Sequence, residues 1–272
     1  MISREQILIL AKQYWFVLAC GVLILIVVLA YFSGYRIAPG GAMVKVGTIS
    51  IEHVPEGAVV YLDEVRNHTV TGSSTSMNVL PGAHTVIVGT DDFQPWNELV
   101  TIEEGVTLHV TPLLVKKIEN IEPKDISSGD MAVATRAMSA SILPREATPL
   151  VLANGCISVY VSGNRILAKR TDTSDCTPPP YLCTDEGIQE NGTCLPTIIF
   201  EPGEALRSLI TYPERDDALI LASGGLAYVI ELDPRAPRFF APLAKGTDIK
   251  VASSTTTSIL VRSGFQLKEI EL

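Results

Sequence analysis

"HVPEGAVVYLD", residues 53–63, places a four-residue corner in front of an alternating apolar run. Pro55 holds φ at about −65° and Gly57 permits positive φ, so residues 55–58 suit a tight turn between two strands. Glu56 is one carboxylate with no evident partner, and general acid–base chemistry needs a second titrating group. The corner is therefore read as structural, and its surroundings as β. Upstream, "TISIEHV" alternates. Downstream, "SMNVL" and "HTVIVG" flank "PGAH" as a hairpin does, and "ELVTIEEGVTLHVTPLL" supplies two strands about a Glu-Gly turn. Short strands with turn signals every 8–12 residues predict a small sandwich over residues 48–115. Its expected core is Val60, Leu62, Val86, Val88, Leu99, Ile102 and Leu108.

Three stretches together, "VPEGAVVYLD", "LPGAHTVIV" and "DDFQPW", resemble the PEGA domain family. The family's aromatic-x-Pro-Trp landmark falls on Phe93, Pro95 and Trp96. Asp63-Glu64 stands where a Gly often follows the Asp, and "TGSSTSM" where a Thr-Pro pair is common. The resemblance implies an Ig-like β-sandwich that is extracytoplasmic, membrane-associated and used for binding or scaffolding. It brings no catalytic residues. Phe93 and Trp96 are candidate ligand contacts, able to stack on a sugar, or caps on a small core.

The address of the chain comes from "YWFVLACGVLILIVVLAYF", Tyr14–Phe32, which lies in a run without charge between Lys12 and Arg36. At ~1.5 Å per residue its 19 residues span about 28 Å as a helix, against a hydrocarbon core of about 30 Å. Its many Leu, Ile, Val and Phe residues favour insertion by about 4–7 kcal/mol in total. Tyr14, Trp15, Tyr31 and Tyr35 stand near the two ends, where amphipathic rings prefer the interface. A cleaved signal peptide would have a shorter apolar region and a small-x-small site, and no good site follows here. "VLAC" loosely resembles a lipobox ending at Cys20, but the apolar run continues well past it. The expected layout is a cytoplasmic tail over residues 1–13, an anchor over 14–35 and a Gly-containing tether over 36–47.

Flanking charge does not settle orientation, because Arg4 and Lys12 balance Arg36 and Lys45. Cysteines do more. Cys156, Cys176, Cys183 and Cys194 form an even set in the body of the chain, which predicts disulfides and an oxidising compartment. The expected pairs are Cys183 with Cys194 and Cys156 with Cys176. Zinc is the rival, though zinc sites usually show closer Cys pairs. The N-terminus is expected inside and residues 36–272 outside. The proline-rich loop around the cysteines should expose Tyr181 and Leu182, Tyr181 being a candidate ligand contact.

Residues 116–149 read as a connector of weak strand character. Residues 150–272 are β again, with turns at Gly163-Asn164, Gly224-Gly225 and Ser263-Gly264. Up-and-down strands at this spacing look like propeller blades. At about 40–45 residues a blade, two to three fit, fewer than the four that closure normally takes. An open fragment, a ring completed by other copies, and a compact sheet stack remain alternatives. "Tyr-Pro-x-x-x-Asp" before "LILAS", with "YVIELD" after it, resembles the C-terminal regions of PEGA proteins from deep-branching, small-genome bacteria.

The net charge of −9 becomes −10 once residues 1–35, with Arg4, Lys12 and Glu5, are set aside. That acidity argues against a nucleic-acid partner, which needs clustered positive charge. His53, His68, His84 and His109 show no metal-ligand spacing, Ser223 sits in no nucleophile elbow, and no phosphate-cradling loop occurs. Asp172, Asp175, Asp185, Glu186, Asp216 and Asp217 fall in turns. No cofactor, metal or catalytic residue is expected. The reading is a non-catalytic, single-pass envelope protein that binds or scaffolds a protein or envelope glycan. A sensor ectodomain relaying to a membrane partner and an envelope-polymer hydrolase are the alternatives.

Overall fold

The computed structural model describes residues 4–171, 179–183 and 194–272. One helix, α1 (Arg4–Phe32), opens the chain, and nearly everything after it is β. The short strands β1 (Tyr35–Ile37) and β2 (Met43–Lys45) come next. Then follow β3 (Gly47–Glu52), β4 (Val59–Leu62), β5 (Val65–Thr69), β6 (Ser74–Val79), β7 (Gly82–Gly89), β8 (Trp96–Ile102) and β9 (Thr107–Val110). The chain divides into two compact units: Met1–Glu56, Val70–His84 and Val100–Pro112 in the first, and Gly57–Thr69, Thr85–Leu99 and Leu113–Leu272 in the second.

In the first unit, no residue of Tyr14–Phe32 is buried within the protein. Gly34, at φ +86°, ends α1 and donates its N–H to the Tyr31 carbonyl. The stretch expected as a tether is instead a hairpin, with Tyr35 opposite Lys45 and Ile37 opposite Met43. A three-stranded sheet in the order β6-β3-β9 follows, with β3 antiparallel to β6 and parallel to β9. Its central strand buries Gly47, Ile49 and Ile51 and turns the residues between them outward. Gly47 tolerates no side chain: a Cβ there would lie 2.3 Å from Ile102 Cγ2 and 2.8 Å from the Glu103 carbonyl.

The corner at residues 55–58 forms as expected, with Gly57 at φ +86°. The β4–β5 turn runs through Asp63 and Glu64, both at positive φ without a glycine. A side-chain bond compensates, because Thr85 N–H donates to Asp63 Oδ1 at 2.9 Å. The second sheet of this region has the order β5-β4-β7-β8, and Val60, Val86 and Val88 are fully buried in it. Leu62, Leu99 and Leu108, expected in the core, are only half-buried. On β8 the buried positions are Trp96, Val100 and Ile102, so strand alternation puts Leu99 on the other face.

The rest of the second unit starts with β10 (Lys124–Asp125) and α2 (Met131–Ala140). After them come β11 (Leu150–Leu152), β12 (Ile157–Ser162), β13 (Arg165–Arg170), β14 (Thr197–Phe200), β15 (Leu206–Thr211) and β16 (Ala218–Ser223). The last strands are β17 (Leu226–Glu231), β18 (Phe240–Lys245), β19 (Lys250–Ser253), β20 (Ser258–Ser263) and β21 (Gln266–Glu271). They make three four-stranded antiparallel sheets: β11-β12-β13-β14, β15-β16-β17-β18 and β10-β21-β20-β19. The middle hairpin of each sheet turns on a glycine at positive φ, namely Gly163 (+63°), Gly224 (+58°) and Gly264 (+57°).

Residues 116–149 carry more structure than a connector. Lys117 N–H donates to the Asp92 carbonyl, and Gln94 N–H to that of Val115. β10 adds itself to the last sheet, with Lys124 opposite Glu269. Ala134 and Met138 of α2 pack on Ala252 and Leu260 of that same sheet. Short strand segments and a single small amphipathic helix leave a weak pattern in sequence, because their stability comes from the sheet they join.

The three sheets stack. Leu219 and Leu221 of β16 with Tyr228 and Ile230 of β17 join Ile157, Val159 and Ile166 in one core. The opposite face of the middle sheet meets β19, where Val251 N–H donates to the buried Ser208 Oγ at 2.8 Å. Among the described residues no barrel or propeller closes.

Candidate functional site

The second unit gathers an unusual set of charges around Trp96. Strand alternation puts Trp96 and Glu98 on one face of β8. The loop between β15 and β16 brings Arg215 and Asp217. Glu231 ends the apolar strand β17, and the loop after it carries Asp233 and Arg235. Tyr181 comes from the 3-10 turn Pro180–Leu182.

Trp96 is 1% exposed, and its indole N–H donates to Glu231 Oε1 at 2.9 Å. Arg215 binds Asp217 through two nearly parallel bonds, both 2.8 Å, and its Nη2 lies 3.8 Å from Glu231. Arg235 grips Asp233 through Nε and Nη2, the shortest contact being 2.6 Å, and donates to the Leu99 carbonyl at 3.3 Å. Its guanidinium carbon is 5.8 Å from the Tyr181 ring centroid. Each arginine is thus held by an acid two residues away in its own loop, a local fork that fixes the guanidinium plane before it reaches across.

The electrostatics follow from burial. Desolvation pushes Glu231 up to about 8, reinforced by Asp217 and Glu98 and opposed by the Trp96 bond and Arg215. Glu98 rises to about 7, first from burial and then from the charges of Asp233 and Asp217, with both arginines opposing. Burial also raises the Tyr181 phenol. Burial works against the Arg215 charge, but Asp217, Glu231 and Glu98 together hold it above its ordinary value. Asp233 does the same for Arg235. Two carboxyls that change charge near neutral pH therefore sit beside two permanent cations.

Chemically, the arrangement reads first as a joint. Glu231 and Trp96 engage each other, and both arginines are matched by acids, so the cluster ties β8 to the loops flanking β16 and β17. No group of His, Cys, Asp or Glu among the described residues could hold a metal ion.

The residues singled out in sequence fare differently. Trp96 is buried and leaves neither ring face open, which corrects its place among the candidate ligand contacts. Phe93 is half-buried and its backbone pairs with Lys116. Tyr181 is half-buried against the apolar core, and Leu182, expected to be exposed, is fully buried in it. The 3-10 turn Pro180–Leu182 brings Leu182 into the core, where it exchanges water for Ile199 and its neighbours. Cys183 and Cys194 are bonded, with Cα atoms 5.5 Å apart. Cys156 is also disulfide-bonded, while Cys176, its expected partner, lies outside the described residues, as do Asp172, Asp175, Asp185 and Glu186. Glu98, Arg215, Glu231, Asp233 and Arg235 were not singled out. The available signal was the pair of short loops "RDD" and "DPR", each setting Arg and Asp two apart.

The PEGA domain family profile matches residues 46–118. No curated protein matches the chain in sequence.

Proposed function

We propose that this chain is a single-pass membrane protein with a cytoplasmic N-terminus, presenting residues 36–272 outside the membrane as a non-catalytic binding or scaffold body of the cell envelope. The carrying observation is the order of parts: an apolar span of 19 residues, none of them buried within the protein, with the PEGA match downstream of it at residues 46–118. The Cys183–Cys194 bond adds support, since such bonds persist in oxidising compartments. On this reading the PEGA stretch is an Ig-like sandwich and the three C-terminal meanders are propeller-like blades. The strand β10, arriving from upstream to complete the last sheet, is a feature such a reading expects. The partner is an envelope protein or glycan.

Two measurements test this. In intact cells, an impermeant maleimide should label Cys183 and Cys194 only after mild reduction and without lysis; labelling that requires lysis would place the body in the cytosol. Full-length protein on peptidoglycan and glycan arrays should bind without releasing product. An envelope-polymer hydrolase has one observation in its favour, the raised Glu98 and Glu231, since a general acid must hold its proton at neutral pH. Product release that disappears in Glu231→Gln would establish that reading instead.

A further inference from the structure

The end of α1 and the hairpin behind it enclose a groove of about 330 Å³. Val27, Ala30 and Tyr31 line it from the helix, and Tyr35, Ile37 and Met43 from the hairpin, with Arg36 the single charged residue among its walls. Ile37 is 73% exposed and Met43 64%, and register places them opposite each other on one face of the hairpin. Large apolar side chains grouped this way are costly in water.

Arg36 is arranged for an anion. Its guanidinium carbon lies 3.7 Å from the Tyr31 ring centroid, and Nη1 donates to the Tyr31 and Tyr35 carbonyls at 2.8 and 2.9 Å. Those bonds orient the fork and leave Nη2 and Nε for another acceptor. No carboxylate among the described residues pairs with Arg36. Between Phe32 and Glu52 the chain has Arg36 and Lys45 and no acid.

We propose that the α1 terminus and the β1–β2 hairpin form a binding site for an anionic phospholipid, its acyl chain in the groove and its phosphate on Arg36. The inference rests on reading α1 as a membrane span. Given that reading, continuity selects the occupant. The groove's wall is the last two turns of the span itself, so whatever surrounds the span at that depth also fills the groove. Tyr31 and Tyr35 mark the level where hydrocarbon meets headgroups. A guanidinium matches phosphate through two parallel bonds, and a stretch with no acid between Phe32 and Glu52 favours a headgroup of net negative charge over a zwitterionic one. The anchor thus extends past its helix.

The full-length chain, reconstituted in nanodiscs of equal phosphatidylglycerol and phosphatidylcholine, would be released under native mass spectrometry and its retained lipids counted. Retention should favour phosphatidylglycerol about fivefold, the effect of one basic residue near an anionic surface. Arg36→Gln should abolish the preference and Arg36→Lys should keep most of it. Ile37→Ser with Met43→Ser should lower the total retained and leave the preference unchanged. Equal retention by the wild type, or a preference that survives Arg36→Gln, overturns the proposal. Alkaline carbonate extraction of the wild type is read alongside. A chain that stays in the membrane but shows no preference sinks the lipid site alone, whereas one washed out by carbonate sinks the anchor and the site together.

Discussion

Strands β3 and β16 are both six residues long and differ in what covers them. β3 buries every second residue, whereas all six of β16 are buried. "GTISIE" alternates apolar with polar, while "ALILAS" carries no charge and no large polar group. A strand that alternates has one covered face, and one that is apolar throughout has two. β16 sits second in a sheet that is itself covered on both sides, by β12 and β13 on one and β19 on the other. The comparison separates two ways of earning stability, one from a single buried face and the other from a stack.

The largest break in that contrast should come from the centre of the stack. Leu221→Ala should cost about 2–5 kcal/mol in guanidinium unfolding followed by circular dichroism. Ser50→Ala, on the uncovered face of β3, should stay within about 0.5 kcal/mol.

The buried acids supply the next effect, through pH. Glu231 and Glu98 hold their protons to about 8 and about 7 in the folded chain, against 4.5 for each as a model carboxyl. Between those limits the folded state binds more protons than the unfolded one. The two acids' contribution to stability is therefore greatest below about pH 4.5, falls as pH rises from there, and is lost by about pH 8. The loss should be plain in denaturant midpoints measured across that range, and Glu231→Gln should remove much of the slope. A flat profile in the wild type would show that the cluster is open to water.

Replacing Cys183 and Cys194 together by alanine should cost about 2–3 kcal/mol, seen as a lower denaturant midpoint, because their separation of 11 residues closes a short loop. Ser208→Ala should cost about 1–2 kcal/mol by leaving Val251 N–H without its acceptor where the middle sheet meets β19. The smallest effect should be a gain. Glu64→Gly should raise stability by about 0.5 kcal/mol, because Glu64 occupies φ +66° without being a glycine.

Much of the fold was legible. The apolar span, the corner at Pro55, and the hairpins at Gly163, Gly224 and Gly264 all follow from local rules about charge, φ and period. The fate of Leu99 and of residues 116–149 was not. Leu99 sits on a strand whose two faces are both partly apolar, so period alone could not choose between them. β10 has two residues and acquires its identity only from the edge of β21. The acid–arginine cluster was the least visible part. Its members are spread from Glu98 to Arg235, and nothing short of the folded chain brings them together.

By itself the sequence determined where the chain can cross a membrane, where it must turn, and which strands are covered on both faces, since each depends on residues within one turn or one strand. The tertiary structure alone decided which charges lose their water. Glu231 becomes a weak acid because burial takes its water away, against the opposing pull of the Trp96 bond and Arg215, and burial is a property of neighbours distant in the chain.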